Sequence, residues 1–140
     1  DLSLEEFHKL SHLIADETER RRARHVISEN SRTLQAIEAL NENDIQRFGM
    51  LMNQSHDSLR DNYEVTGKEL DTLVEEARKV EGTLGSRMTG AGFGGCTVSI
   101  VEADRVETFI REVGSGYNQR TGLKADFYVA EIGDGSKQIN

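Results

Sequence analysis

Between two segments that read as strands the chain reads Thr89-Gly90-Ala91-Gly92-Phe93-Gly94-Gly95-Cys96, with four glycines in the six positions from Gly90 to Gly95. Glycine in a folded loop is entropically costly, and it is kept where φ must be positive or where another group approaches the backbone closely. Successive backbone N–H groups freed in such a loop converge into a concavity that suits an anion, phosphate above all. A glycine-rich hairpin turn with no ligand is the competing reading, and the residues alone leave both open.

The context decides which phosphate motif this is not. Gly90-x-Gly92-x-x-Gly95 spells the dinucleotide fingerprint, but that fingerprint must open a helix within a βαβ unit. Here Cys96-Thr97-Val98-Ser99-Ile100-Val101 follows, β-branched and alternating, which predicts a strand. The protein-kinase glycine loop does lie between strands, yet it needs a lysine strand, a catalytic H-R-D loop and a D-F-G downstream, and none follows.

Other reactive side chains carry less. Cys96 is the only cysteine, so no internal disulfide forms and a reducing compartment is suited; a small buried hydrophobe in a strand is the expected role. His56 has no second histidine, cysteine or carboxylate at ligand spacing on its helix, so it is expected to bond a neighbouring backbone or polar group, not a metal. The basic run Arg20-Arg21-Arg22-Ala23-Arg24-His25 has Asp16, Glu17 and Glu29 four residues from Arg20, Arg21 and His25, which predicts a self-neutralising helical face.

The elements that position the loop follow from periodicity. Ser3-Leu4-Glu5-Glu6 has capping-box spacing, with Leu4, Phe7, Leu10, Leu13 and Ile14 on one face, which predicts a helix from Leu4 to Asp16. Ala23, Val26, Ile27, Leu34, Ile37 and Leu40 at helical spacing predict a long helix of about 22 residues. Asn43 or Asp44 caps a third, with Ile45, Phe48, Leu51, Met52, Ser55 and Leu59 as its stripe. Thr66-Gly67-Lys68-Glu69 is a second capping-box spacing, followed by Leu70, Leu73, Val74, Ala77 and Val80. Strands are expected at Leu84–Met88 and Cys96–Val101, then a helix capped by Asp104 and Glu107 with Val106, Phe109, Ile110, Val113 and Tyr117 inward. A final strand is expected from Ala125 to Ile132. The fold class is α+β: about four helices, then a small antiparallel sheet with one interleaved helix.

Composition narrows the class further. A chain of 140 residues is the size of one domain, and with no proline to build a linker residues 1–140 are expected to form a single one. The net charge of −8 argues against nucleic acid and against anionic membrane as partners. Ten of the thirteen glycines follow position 82, so the helices come first and the strands after. The chain starts at Asp1 and shows no signal peptide or apolar run of membrane length, and it is expected to be a piece of a soluble protein.

Read together, Ser86-Arg87-Met88-Thr89-Gly90-Ala91-Gly92-Phe93-Gly94-Gly95-Cys96-Thr97-Val98 resembles the third signature motif of the galactokinases, sugar kinases of the GHMP superfamily. Arg21-Arg22-Ala23-Arg24-His25-Val26-Ile27, Ser55-His56-Asp57-Ser58-Leu59-Arg60-Asp61 and Tyr63-Glu64-Val65-Thr66 running into Glu69-Leu70-Asp71 are similar to the same family, in the right order along the chain. The resemblance implies ATP-dependent phosphorylation of the anomeric hydroxyl of galactose with Mg²⁺, giving galactose 1-phosphate and ADP, in the cytoplasm. It also implies a cleft between two domains, of which this chain is similar to the C-terminal one and has its own N-terminal domain as partner. Gly90, Ala91, Gly92, Phe93, Gly94 and Gly95 are then the residues beside the transferred phosphate, with Thr89 as a hydroxyl donor. The family's galactose-binding motif, its serine-rich phosphate loop, its catalytic aspartate and its assisting arginine have no counterpart here. No catalytic or metal-binding residue is assigned to this chain, and alone it is expected to be inactive. Gly67-Lys68 stands where the family usually has a proline, which should alter a helix start and not the chemistry.

Three alternatives stay in view: a kinase of N-acetylgalactosamine or arabinose, a non-catalytic galactose and ATP sensor, and a helical interaction module without a ligand.

Overall fold

The computed structural model describes residues 2–131 and 133. Five α-helices precede and flank one two-stranded antiparallel sheet: α1 Leu4–Leu10, α2 Glu17–Asn41, α3 Ile45–Ser58, α4 Lys68–Lys79, β1 Thr83–Thr89, β2 Cys96–Val101 and α5 Val106–Thr121. The architecture is α+β, as the sequence predicts.

Local chemistry explains most of the boundaries. Glu6 N–H donates to Ser3 Oγ and Ser3 N–H to Glu6 Oε2, the capping box that the spacing predicts. The helix it opens is shorter than expected: it tightens into a 3₁₀ turn at Ser11–Leu13 and leaves Leu13 exposed. Asp16 caps α2 by accepting the Glu19 N–H, and Asp44 caps α3 by accepting the Arg47 N–H. The capping box expected at Thr66 does not form. Gly67, with φ 81°, is the N-cap of α4 and offers no side chain, while Thr66 is buried. α5 likewise starts without a side-chain cap, after a 3₁₀ turn at Ala103–Arg105, and stops at the left-handed Gly122.

The core has two centres. Leu59, Val65, Leu70 and Met88 pack where the end of α3 meets α4 and β1. Ala77, Val80, Phe109 and Val113 pack between α4 and α5, with Leu73, Val101, Ile110 and Phe127 against them. The inward faces predicted for α4 and α5 are therefore the ones observed. The α2 stripe lies open: Val26, Leu34, Ile37 and Leu40 are each about half exposed or more. Polar pairs join α2 to α3, His25 with Ser58 and Glu29 with Ser55, and Ala39 is buried, while the side of α2 that carries Val26, Leu34, Ile37 and Leu40 is exposed. Periodicity reveals that a stripe exists, not what covers it.

The final strand is a second correction. Residues 123–131 form no strand, and Ile132 lies outside the described residues. Phe127 does turn inward, edge-on to Phe109 with ring centroids 6.4 Å apart, and Gly114 leaves room for it. Among the described residues the sheet ends at β1 and β2, and this stretch faces β2 across a cleft without joining its ladder.

Candidate functional site at the hairpin loop

β1 and β2 pair in register from Gly85 opposite Ile100 to Thr89 opposite Cys96, and the glycine loop closes the hairpin between them. The strand that feeds the loop is fixed from below. Gly85 crosses Gly49 of α3 at backbone contact: a Cβ on Gly49 would stand 2.2 Å from the Leu84 carbonyl oxygen, and one on Gly85 2.3 Å from that of Gly49. The buried Ser86 donates its N–H to Asn53 Oδ1 at 2.9 Å. Arg78 of α4 donates to the same oxygen, to the Asn53 carbonyl and to Asp57 Oδ1, so one guanidinium joins α4 to α3 beneath β1.

His56 ties Met88, two residues further along β1. It is fully buried, and its Nδ1 accepts the Met88 N–H at 3.2 Å. A ring that accepts at Nδ1 carries its proton on Nε2, which faces Asp71 Oδ1 at 3.2 Å, off the line of a good hydrogen bond. Burial, reinforced by the nearby Arg78 cation, pushes the His56 pKa down and outweighs Asp71 and Asp57, so the ring is neutral. The expectation of a neighbouring backbone or polar partner agrees with this geometry. Among the described residues no group of His, Cys, Asp and Glu could hold a metal ion.

The loop itself is built on left-handed backbone. Gly90, Gly92, Gly94 and Gly95 have φ between 86° and 110°, and Phe93 has φ 57°. Two kinds of glycine are present. Gly92 is wedged against the body, since a Cβ there would lie 2.1 Å from the Val65 carbonyl oxygen. Gly90, Gly94 and Gly95 have open space where a side chain would stand, so something outside the chain can reach their backbone. Phe93 N–H donates to Val65 O at 2.7 Å, and among the described residues the other amides from Gly90 to Gly95 have no protein acceptor. Thr89, Gly90, Ala91, Gly94 and Gly95 are exposed, and the Phe93 ring is 82% exposed. Unpartnered amides on an open, left-handed loop are the means by which backbone binds an anion.

Val65 in turn is set by its neighbour. After α3 a π turn at Leu59–Tyr63 ends in Glu64, a non-glycine residue with φ 61°. Arg21 donates to both Glu64 oxygens at 2.8 and 3.2 Å, and Arg22 to Glu64 Oε2 at 2.5 Å. These hydrogen bonds lower the Glu64 pKa to about 2. His25 stacks on Tyr63 with centroids 4.6 Å apart and shares a hydrogen bond with Ser58. The basic run is only partly paired within its own helix, Arg20 with Glu17. Arg21 and Arg22 reach across to Glu64, a contact that local spacing does not reveal. Asn53, Arg78 and Val65 are equally invisible to it. Cys96 is also corrected: it is exposed at the start of β2, because the residue that closes an open loop faces solvent.

These features define the C-terminal part of a small-molecule kinase fold. Residues 36–119 match the family described as GHMP kinases C terminal, and the chain belongs to that family. Within it, the chain is similar to galactokinase from Fusobacterium nucleatum, 58% identical over 139 residues that make up 99% of this chain and 36% of the relative. Galactokinase from Bacillus subtilis is 52% identical over 139 residues, with the same coverage. The crystal structure of Lactococcus lactis galactokinase complexed with galactose superposes with a TM-score of 0.92 at 52% identity, over 99% of this chain and 36% of that one. L. major mevalonate kinase in complex with R-mevalonate is more distant, with a TM-score of 0.57 at 27% identity, over 91% of this chain and 37% of that one. The chain therefore spans about a third of the length of the relatives it matches, and their names do not favour the alternative substrates or the sensor.

Proposed function

We propose that this chain is the C-terminal domain of a galactokinase, and that its glycine loop forms the wall of the active site beside the transferred phosphoryl group. The observation that carries the reading is the loop itself: amides without a protein acceptor on a left-handed backbone, with Gly90, Gly94 and Gly95 open to approach. In the reaction the anomeric oxygen of galactose bonds to the γ-phosphorus of ATP. The bond to the β-phosphate oxygen breaks, ADP leaves, and the hydroxyl proton passes to a base outside this chain. Such transfers depend on positioning and on stabilising charge over the phosphoryl oxygens, and backbone N–H groups held rigidly do both. Thr89 and Gly90 to Gly95 are the residues in this role. ATP is the phosphoryl donor. Mg²⁺ would neutralise charge on its phosphates and be held mainly by the N-terminal domain, since the described residues offer no cluster of ligands for it.

The remaining parts of the reading follow the same line. Residues 1–140 act as one domain that docks on an N-terminal domain, and the exposed stripe of Val26, Leu34, Ile37 and Leu40 supports a large covering partner. The exposed free thiol of Cys96 suits a reducing cytoplasm. No helix among the described residues is long and apolar enough to cross a membrane.

The test is ADP release by the intact protein with Mg²⁺·ATP and, in parallel, galactose, N-acetylgalactosamine and arabinose. Galactose should give the highest kcat/KM, with phosphate at the anomeric position. Turnover of another sugar in preference, or none, overturns the reading.

A further inference from the structure

We propose that Glu64 is a positioning residue for the glycine loop: gripped by Arg21 and Arg22 in a left-handed turn, it aims the Val65 carbonyl at the Phe93 amide. In this way it fixes where the open face of the loop stands. The role in turnover rests on the kinase reading of that loop.

The geometry forms a continuous path. Arg21 and Arg22 sit in the first turns of α2, and their guanidinium groups fasten three points of the chain that leaves α3. Arg21 donates to the Asp61 carbonyl at 3.1 Å and to both Glu64 oxygens, and Arg22 donates to the Asn62 carbonyl and to Glu64 Oε2. Tyr63, between them, is stacked on His25 with the Arg22 guanidinium 5.8 Å from its ring centroid. The turn so held contains the non-glycine φ of 61° at Glu64, a conformation that side chains rarely adopt unless the surroundings over-determine it. Beyond it the Val65 side chain is buried with Leu59, Leu70 and Met88, its N–H donates to Leu59 O, and its carbonyl accepts the Phe93 N–H. That acceptor is the tether of the loop, and it leaves no room for a side chain on Gly92.

The grip is poorly suited to being a stability device. Glu64 is 46% exposed and the two arginines about a third exposed, and ion pairs at such sites add little to folding. A forked, two-point contact instead fixes orientation, and orientation is what a carbonyl aimed at one amide requires.

The test uses the intact protein with Glu64→Gln, which keeps the shape of the side chain and removes its charge, and Arg21→Lys, which keeps the charge and removes the fork. Amide exchange across residues 90–95 is measured alongside kcat, KM and the thermal midpoint. Both variants should stay folded with midpoints within a few degrees of the parent. In Glu64→Gln, loop exchange should rise and kcat should fall by about tenfold, while the KM for galactose changes less than about twofold. Arg21→Lys should lie between Glu64→Gln and the parent in both readouts. Unchanged loop exchange in Glu64→Gln overturns the proposal, and so does faster exchange with an unchanged kcat. If the parent phosphorylates no sugar, the kinase reading fails on its own, and loop exchange alone still decides whether Glu64 holds the loop.

Discussion

The Phe93 amide donates to the Val65 carbonyl at 2.7 Å, and the glycine before it, Gly92, has its absent Cβ aimed at the same oxygen. One carbonyl therefore both anchors the loop and dictates that its second glycine be a glycine. Gly92→Ala should break the tether, lowering kcat by about a hundredfold through displacement of the loop. Its thermal midpoint should fall further than that of Gly95→Ala, which meets open space and suffers only left-handed strain of about 1–3 kcal/mol. Kinetics and melting of the two variants side by side check this, and equal effects would contradict it.

The crossing of α3 and β1 makes a separate prediction. Gly49 and Gly85 touch backbone to backbone, so an alanine at either has no side-chain motion to relieve it. Each single variant should lose about 3 kcal/mol or more of stability, read from the denaturant midpoint, because overpacking against main chain forces the elements apart. A loss under about 1 kcal/mol would mean the crossing can open without cost.

Asn53 offers a third. Its Oδ1 accepts both the buried Ser86 N–H and Arg78 Nε–H, so Asn53→Ala orphans two donors. The expected cost is about 2–4 kcal/mol, taking about 1–2 for each buried group left unpaired. Asn53→Asp keeps an acceptor at that place and should lose less. Urea denaturation of both orders them.

How much of this was legible in the sequence depends on how local its causes are. α3 and β2 were readable because Asp44 caps its own helix and the β-branched run from Cys96 alternates. The loop was readable because glycine density needs no partner to be noticed. The covering of α2 was not, since Val26 and Leu34 look the same to a periodicity count whether another body buries them or not. The unpaired stretch at Phe127 misled for the same reason: alternation is a property of residues, and a strand is a property of two segments. Within the site, Glu64 and Val65 are legible only as part of a family likeness and not as supports of the loop, because a left-handed glutamate is held by arginines more than 40 positions away.

Acidification should act through the buried histidines. The neutral, buried His56 has its pKa pushed below the ordinary 6.5, first by burial and then by Arg78, against the opposing pull of Asp71 and Asp57 and with Arg60 nearby. His25 is pushed down likewise, chiefly by burial, with Arg32, Arg87 and Arg22 opposing the pull of Glu29. As pH falls below about 6.5 the unfolded chain takes up protons that the folded chain refuses, so stability present above that value declines. Glu64, lowered from 4.5 to about 2 by Arg21 and Arg22, stays charged across this range and, half exposed, adds little to the decline. Melting from pH 8 to 3 should show the first decline in the parent and a shallower one in His56→Gln. An identical slope in both would remove His56 from the account.

The central claim, that these residues supply the loop half of a galactokinase site, is tested most directly by complementation. Residues 1–140 are expressed alone and together with the part of the protein that precedes them, and galactose-dependent ADP release is followed with Mg²⁺·ATP. Neither part alone should turn over, the two together should, and Gly92→Val in this chain should abolish the restored activity. Turnover by residues 1–140 alone, or restored turnover that is indifferent to Gly92→Val, would contradict the account.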